Sequence, residues 1–262
     1  MTYSLAGKKA LVCGSTQGIG RACALEMALQ GAEVTLMARQ EDGLKRVQNE
    51  LSTDQGQTHG RVVADFADWQ QVRDRLGEYL GAGGPIHILL NNTGGPPAGS
   101  LFDATPDDLV KAFSQHILCN GVLVQATVPG MRAEGYGRVI NIISTSVIQP
   151  IKGLGISNVT RGAVANWGRT LAHELGPYGI TVNNILPGYT STARLDSLIQ
   201  RRADNAGSSV EQVKQQMVAN VPLGRFATPQ EIGTVAAFLA SPAASYINGV
   251  NLPIDGGRLA GQ

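Results

Sequence analysis

Short apolar segments alternate with amphipathic segments along almost the whole chain. Continuous apolar runs of the kind found in buried parallel strands cover residues 10–13, 34–38, 61–65, 86–90, 138–143, 180–186 and 250–254. Between them, apolar residues recur at helical spacing over 22–29, 42–51, 69–80, 157–175 and 229–239, and from about 106 to 134. This alternation predicts an α/β fold, a doubly wound parallel sheet with helices on both faces.

The first apolar run ends in a glycine-rich turn, Gly14-x-x-x-Gly18-Ile19-Gly20, and a helical pattern follows at once. A helix N-terminus offers unpaired N–H groups to an anion, and glycines let a pyrophosphate approach the backbone. The spacing is looser than the usual Gly-x-Gly-x-x-Gly fingerprint, and tight turns use the same residues. Its position between the first strand and the first helix nevertheless favours a dinucleotide.

The other conspicuous loops also follow predicted strands. Ligands of doubly wound sheets bind outside the carboxyl ends of the strands, which all meet at one edge. The loops in question contain residues 14–20, Arg39, Asp65, 92–95, Ser144 and 187–192. The sequence therefore predicts one shared site.

Composition narrows the class of protein. No linker-like or low-complexity segment interrupts the 262 residues, so we predict one domain over 1–262, in which the polar segment 192–221 forms a helical excursion or substrate lid. A net charge of +1, with 16% charged and 5% aromatic residues, gives no basis for binding nucleic acid or an anionic membrane.

The three cysteines, Cys13, Cys23 and Cys119, are widely spaced in apolar segments, which indicates buried free thiols. The histidines show no metal-ligand spacing, so no metal is implied. The first residues do not resemble a signal peptide, and no apolar run is long enough to span a bilayer. We therefore expect a cytoplasmic protein.

Motifs spread over nearly the whole chain resemble those of the short-chain dehydrogenase/reductase family, especially its 3-oxoacyl-carrier-protein-reductase-like members. They are the turn 14–20, Asp65, 91–94, 141–144, 183–188, 222–225, 229–231, 238–241 and 255–257. The resemblance implies a seven-stranded Rossmann sheet, a small-molecule ketone or secondary alcohol as substrate, and a homotetramer (or homodimer). It also implies the cofactor-binding residues Gly14, Ser15, Thr16, Gln17, Gly18, Ile19, Gly20, Asp65, Phe66, Asn92, Thr93, Gly94, Pro187, Gly188, Thr190 and Thr192.

The choice of dinucleotide depends on the end of the second strand. A carboxylate there would bond the ribose hydroxyls of NAD and repel a 2′-phosphate. The chain instead reads Met37-Ala38-Arg39, and a guanidinium suits a phosphate. NADP(H) is therefore favoured over NAD(H); the alternative is that Arg39 is a solvated surface charge.

The family's catalytic residues are only partly present. Ser144 stands at the serine position, but the Tyr-x-x-x-Lys motif, expected from residue 157, reads Ser157-Asn158-Val159-Thr160-Arg161. The surrounding pattern continues without a gap, so Ser157 replaces the tyrosine and Arg161 the lysine. The family's asparagine aligns with His116, although Asn120 lies one turn further on the same helical face.

These residues suggest a rearranged proton-delivery set. A serine hydroxyl is a weaker acid than the phenol of tyrosine, and the serine side chain is shorter by the length of a ring. Arg161 is a permanent cation that can stabilise an alkoxide or bind the nicotinamide ribose. A histidine titrates in the useful range, so a water chain from His116 past Ser157 can supply the proton. Alternatively His116 is an ordinary helix residue. Tyr189, another acid, is expected to pack over the cofactor.

Three functions follow. The leading hypothesis is an NADP(H)-dependent oxidoreductase, and the second is a catalytically impaired NADP(H)-binding sensor or assembly module. The third is a different reaction on a bound nicotinamide or nucleotide, such as an elimination or isomerisation. The predicted substrate wall, 192–221, mixes Arg194, Arg201, Arg202 and Lys214 with acidic residues, a pattern more typical of a solvated helical face than of an anion pocket.

Overall fold

The structure, a computed structural model that describes residues 3–260, contains seven strands and nine α-helices within that range. The strands are β1 Lys9–Cys13, β2 Glu33–Ala38, β3 Gly60–Val63, β4 Ile88–Asn91, β5 Gly137–Ile142, β6 Ile180–Pro187 and β7 Asn251–Ile254. The helices are α1 Gly18–Leu29, α2 Glu41–Gln48, α3 Trp69–Gly83, α4 Pro106–Phe113, α5 Cys119–Ala133, α6 Gly155–Leu175, α7 Ala193–Ala206, α8 Val210–Ala219 and α9 Pro229–Ala240.

The strands form one parallel sheet in the order β3-β2-β1-β4-β5-β6-β7, which confirms the predicted fold class. Successive residues of β1 face opposite sides of the sheet: Val12 lies in the core under α1 and α9, and Leu11 in the core under α3 and α5. Gly233 of α9 brings that helix against the backbone of α1, since a Cβ there would lie 2.8 Å from the Ala22 carbonyl oxygen. The three cysteines are buried and unpaired, as predicted.

The helix predicted over about 106–134 is interrupted. It begins at Thr105 with a capping box to Asp108 and a proline in its first turn, as its sequence indicates. Residues Ser114–Leu118 then form a π-helical turn between α4 and α5. Apolar periodicity does not reveal one inserted residue, so this turn could not be predicted from the residue pattern. Such turns are frequent at functional sites, and this one contains His116.

Other differences are confined to element ends. β4 begins at Ile88 rather than at Ile86, β3 ends at Val63 rather than Asp65, and α6 begins two residues before Ser157. The polar segment 192–221 forms α7 and α8, whose inward side chains make a small core of their own: Leu195, Ile199, Ala203, Val213 and Met217. Its role as a lid stays a prediction. In the described chain, no helix is both long and apolar enough to cross a membrane.

A row of four buried or half-buried asparagines crosses the sheet, and we call it the asparagine row. Asn91, Asn141, Asn184 and Asn251 are register partners on β4, β5, β6 and β7. Each side-chain amide donates to the carboxamide oxygen of the next, at 2.9, 2.8 and 2.8 Å. Asn184 also donates to the Ala165 carbonyl of α6, at 3.2 Å. The row therefore ties α6 to the sheet.

Replacing Gly168 by alanine is expected to loosen that attachment. A Cβ at this position would lie 2.7 Å from Asn184 Oδ1 and 2.8 Å from Asn141 Nδ2, so the helix or the row must shift. We expect a loss of about 1–3 kcal/mol in the free energy of unfolding, measured by urea denaturation. Gly162→Ala is the matched control: nothing lies within 4 Å of that Cβ. It should gain about 0.5–1 kcal/mol from reduced backbone entropy, and equal stability of the two variants would refute the packing role.

Candidate active site

The carboxyl ends of β1, β4, β5 and β6 surround a cavity of about 580 Å³, which is where the sequence predicts the site. Many of the predicted residues line it together: Gly14, Gln17, Gly18, Ile19, Asn92, Thr93, Gly94, Ser144, Ser157, Arg161, Pro187, Gly188, Thr190 and Thr192. The remaining predicted residues lie outside its lining: Ser15, Thr16, Gly20, Arg39, Asp65, Phe66 and His116.

The glycine turn is built for close approach. Gly14 has a φ of +59°, and a Cβ on it would lie 2.5 Å from the Asn92 carbonyl oxygen. The Asn92 side chain donates to the carbonyls of Cys13 and Gly14, at 3.2 and 3.3 Å, and so holds the turn against the loop after β4. No side chain caps the N-terminus of α1, and the buried Ser15 hydroxyl has no partner among residues 3–260. These free donors fit a dinucleotide pyrophosphate.

The adenine end of such a ligand would extend past the cavity toward β2 and β3. Arg39 follows β2 directly, is exposed, and makes no ion pair within the described chain. Asp65 is half-buried and accepts the Ala67 amide at 3.0 Å. Phe66 is buried, and its carbonyl accepts from the Cys119 thiol at 3.2 Å. This arrangement leaves the Arg39 guanidinium available to a 2′-phosphate.

Two serine hydroxyls face the cavity. Ser144 follows β5, and its oxygen accepts the Ser146 amide at 3.1 Å, which caps a 3₁₀ turn over Thr145–Val147. Its own proton remains free to donate to a ligand. Ser157 lies in the first turns of α6 and is buried, and its hydroxyl has no hydrogen-bond partner in the described structure. Both hydroxyls can therefore bond a carbonyl oxygen.

Arg161 lies one turn further along α6 and is only 9% exposed. Its guanidinium donates to the Ile142 carbonyl at 3.0 Å and to the Thr93 carbonyl at 3.5 Å, which fixes it between the ends of β4 and β5. Burial and then the charge of Arg194 lower the pKa of Arg161 to about 10. The side chain thus remains a cation at neutral pH.

His116 differs from its predicted behaviour. It is 1% exposed, its Nδ1 is hydrogen-bonded to the Thr93 hydroxyl at 2.8 Å, and its Nε2 has no partner among the described residues. Burial, followed by the charges of Arg161 and Arg194, lowers its pKa to about 2. The expectation that His116 titrates near neutral pH is therefore wrong, because a protonated imidazole would be buried beside two cations.

This shift makes stability depend on pH. The unfolded chain binds a proton on His116 below about pH 6.5 and the folded chain does not until about pH 2, so the free energy of unfolding falls as the pH decreases from about 6.5. We expect His116→Asn to remove about 1 kcal/mol per pH unit of this dependence, measured by urea unfolding at about pH 5 and about pH 7. His173→Asn, at an exposed position on α6, is the control. Parallel wild-type and His116→Asn curves would contradict the assignment.

The sequence pattern around Arg194 favours a solvated helical face, and the residue is exposed in the structure, but its side chain also takes part in the candidate site. It lines the cavity from the first turn of α7 and donates to the carbonyls of Gly95 and Pro96, at 3.2 and 2.7 Å. Its partners lie almost a hundred residues away, so no local pattern could identify it. Tyr189 also lines the cavity and packs edge-on against Phe226, with ring centres 5.8 Å apart.

Known proteins resemble this chain over almost its whole length. The family model described as "Enoyl-(Acyl carrier protein) reductase" matches residues 14–258. Cyclohexanol dehydrogenase of Rhodococcus sp. (strain TK6) is 30% identical over 97% of this chain and 96% of its own. Trans-4-hydroxycyclohexanecarboxylate dehydrogenase of Sinomonas cyclohexanicum is 32% identical over 98% and 95%. L-sorbose reductase from Gluconobacter frateurii, solved with NADPH and L-sorbose, superposes with a TM-score of 0.91 at 31% identity, covering 99% of both chains.

Proposed function

The chain belongs to the short-chain dehydrogenase/reductase family, and we propose that it is an NADP(H)-dependent oxidoreductase acting on a ketone or secondary alcohol with an altered catalytic set. One observation carries the proposal: Ser144, Ser157 and the buried cation Arg161 line the same cavity as the glycine turn. The named relatives act on alcohols or ketones, and the L-sorbose reductase binds NADPH.

Each residue has a distinct part in this reaction. When bound, the dinucleotide supplies or accepts the hydride. The Ser144 and Ser157 hydroxyls donate hydrogen bonds to the carbonyl oxygen and orient it. Arg161 stabilises the negative charge that develops on that oxygen, in a buried position where electrostatic stabilisation is strong. Solvent, passing its proton through the Ser157 hydroxyl, completes the alcohol, because His116 is neutral and lies outside the cavity lining.

Single-turnover oxidation of protein-bound NADPH, followed by absorbance, tests the proposal. The substrate panel contains cyclohexanone, 4-oxocyclohexanecarboxylate and an acetoacetyl thioester, the last because of the resemblance to 3-oxoacyl-carrier-protein reductases. Consumption of NADPH by the wild-type protein, together with a lower rate in Ser157→Ala, supports reduction without the family tyrosine. Unchanged turnover in Ser157→Ala would remove that serine from the mechanism.

A second candidate is a catalytically impaired NADP(H)-binding module. The observation that favours it is that no histidine, lysine, cysteine or carboxylate of the described chain lines the cavity. The double variant Ser157→Tyr, Arg161→Lys distinguishes the two. NADPH consumption by this variant alone would show a pocket that has lost its acid, and would favour the binding module over the oxidoreductase.

The NADP(H) preference is assigned to Arg39. Reversing its charge in Arg39→Glu is expected to weaken NADPH binding at least about tenfold and not to weaken NADH binding, since only NADPH carries the 2′-phosphate and a carboxylate here can bond the ribose hydroxyls of NADH. Arg169→Glu, at an exposed position on α6 outside the cavity lining, controls for a general change of charge. The dissociation constants of NADPH and NADH are measured from nucleotide fluorescence for each variant. Equal losses for the two nucleotides would remove Arg39 from the phosphate site.

Assembly as a homotetramer or homodimer belongs to the same proposal. Several large apolar side chains in and around α4 are exposed in the single chain and would gain from burial against another copy: Leu101, Phe102, Val110, Phe113 and Leu118.

A further inference from the structure

Arg161 and Arg194, which we call the arginine pair, form the charged wall of the cavity. We propose that they bind a carboxylate group on the substrate, which makes the substrate a keto acid or hydroxy acid. The inference rests on the proposed oxidoreductase function, because the carboxylate belongs to the molecule whose carbonyl Ser144 and Ser157 would bond.

The two guanidinium groups are held against one loop, residues 93–96. The position that a Cβ on Gly95 would occupy is 3.0 Å from Arg194 Nη2 and 3.6 Å from Arg161 Nη2. Arg194 is held by the carbonyls of Gly95 and Pro96, and Arg161 by those of Thr93 and Ile142. The two cations thus lie within about 7 Å of each other, close enough to repel appreciably in a partly buried site.

No carboxylate of residues 3–260 compensates this charge. None lines the cavity, and no ion pair of the described chain includes either member of the pair. The third arginine of the lining, Arg21, is paired with Glu50 and is therefore neutralised. Arg161 is buried whereas Arg194 is exposed, so the cost of desolvation falls mainly on Arg161, and the backbone carbonyls offset it only in part. An anion between the pair would relieve this cost.

The direction of two pKa shifts agrees with an uncompensated positive field. The charge of Arg194 contributes to the lowered pKa of Arg161, and both arginines contribute to the lowered pKa of His116. Each guanidinium has five N–H donors, and the backbone carbonyls take two from each side chain. Donors therefore remain for a ligand, in the planar arrangement that suits a carboxylate.

The position of the pair favours the substrate over the dinucleotide. The free donors for a pyrophosphate lie at the glycine turn and α1, beside β1. The arginine pair lies between the loop after β4 and helices α6 and α7, and Arg161 is one helical turn from Ser157. A carboxylate bound by the arginine pair would therefore be part of the substrate, whose carbonyl oxygen accepts hydrogen bonds from the two serine hydroxyls.

Calorimetry on the NADP⁺-saturated protein tests the inference without turnover. The probes are cyclohexanecarboxylate and its neutral counterpart cyclohexanecarboxamide, neither of which can be reduced. We expect the carboxylate to bind at least about tenfold more tightly than the amide. Arg194→Gln, which keeps a donor for the loop carbonyls, should remove most of that preference, and Arg194→Lys should restore part of it. Lys214→Gln, exposed on α8, should retain the preference and controls for net charge.

Three outcomes separate the possibilities. Equal binding of the two probes would overturn the inference. The inference would also fail if Arg194→Gln weakened the binding of NADP⁺ as much as the binding of cyclohexanecarboxylate, because the pair would then bind a phosphate of the dinucleotide. Reduction of cyclohexanone with no preference for 4-oxocyclohexanecarboxylate would reject the carboxylate site and keep the oxidoreductase. Carboxylate binding with no turnover of any ketone would support the site and count against the proposed oxidoreductase.

Discussion

Replacing Gly14 by alanine is expected to weaken NADPH binding by about a hundredfold, equivalent to about 2.7 kcal/mol. The positive φ of +59° alone costs an alanine about 1–2 kcal/mol. The new Cβ would in addition lie 2.5 and 2.7 Å from the carbonyl oxygen and side-chain nitrogen of Asn92. Relieving that overlap separates the turn from the loop after β4, and both loops are proposed to contact the dinucleotide.

Gly7→Ala is the matched control for this experiment. Gly7 has a φ of +74°, similar to that of Gly14, but nothing lies within 4 Å of the position of its Cβ. Both variants should lose stability from backbone strain, and only Gly14→Ala should lose nucleotide affinity as well. Dissociation constants from NADPH fluorescence, measured beside urea unfolding, separate the two effects. Similar nucleotide affinities in both variants would show that the contact with Asn92 does not shape the binding site.

Replacing Arg161 by methionine is expected to lower the single-turnover rate of NADPH oxidation by about 10²–10³-fold. Methionine retains much of the aliphatic volume and removes both the charge and the donors to Ile142 and Thr93. The alkoxide would then form in a buried place without its cation. NADPH affinity and urea unfolding, measured on the same variant, show whether the pocket is still assembled.

Arg161→Lys gives the complementary result. A lysine keeps the positive charge but cannot donate in the planar, forked arrangement of a guanidinium, so we expect a rate between those of the methionine variant and the wild type. An unchanged rate in Arg161→Met, with ketone reduction intact, would show that this cation takes no part in the reaction. The arginine pair would then act in binding alone.

The existence of the strands and the sheet edge at which their carboxyl ends meet were the most predictable features of the molecule. Apolar runs located all seven strands, and the rule that parallel strands present their carboxyl ends at one edge brought the glycine turn, Asn92 and Ser144 together correctly. These positions follow from local periodicity and from topology, and neither depends on the identity of distant neighbours.

What the sequence could not predict depends on such neighbours. The pKa of His116 is set by burial in a π-helical turn and by cations on α6 and α7, which no spacing rule places beside it. Arg194 lies among acidic and basic residues that suggest a solvated helix, yet its donors go to carbonyls of the loop at residues 95–96. In both cases a long-range contact determines the chemistry.

The asparagine row has a consequence for refolding. Parallel strands are joined through helices, so no hairpin turn sets how far one strand slides along the next. If β6 slipped by one residue against β5, Asn184 would leave the row and carboxamides on both sides would be buried without partners, each costing about 1–3 kcal/mol. Compact states with shifted strands are thus less stable than the native alignment, because each contains several buried carboxamides without hydrogen-bond partners. A refolding chain that reaches such a state has a strong tendency to realign its strands.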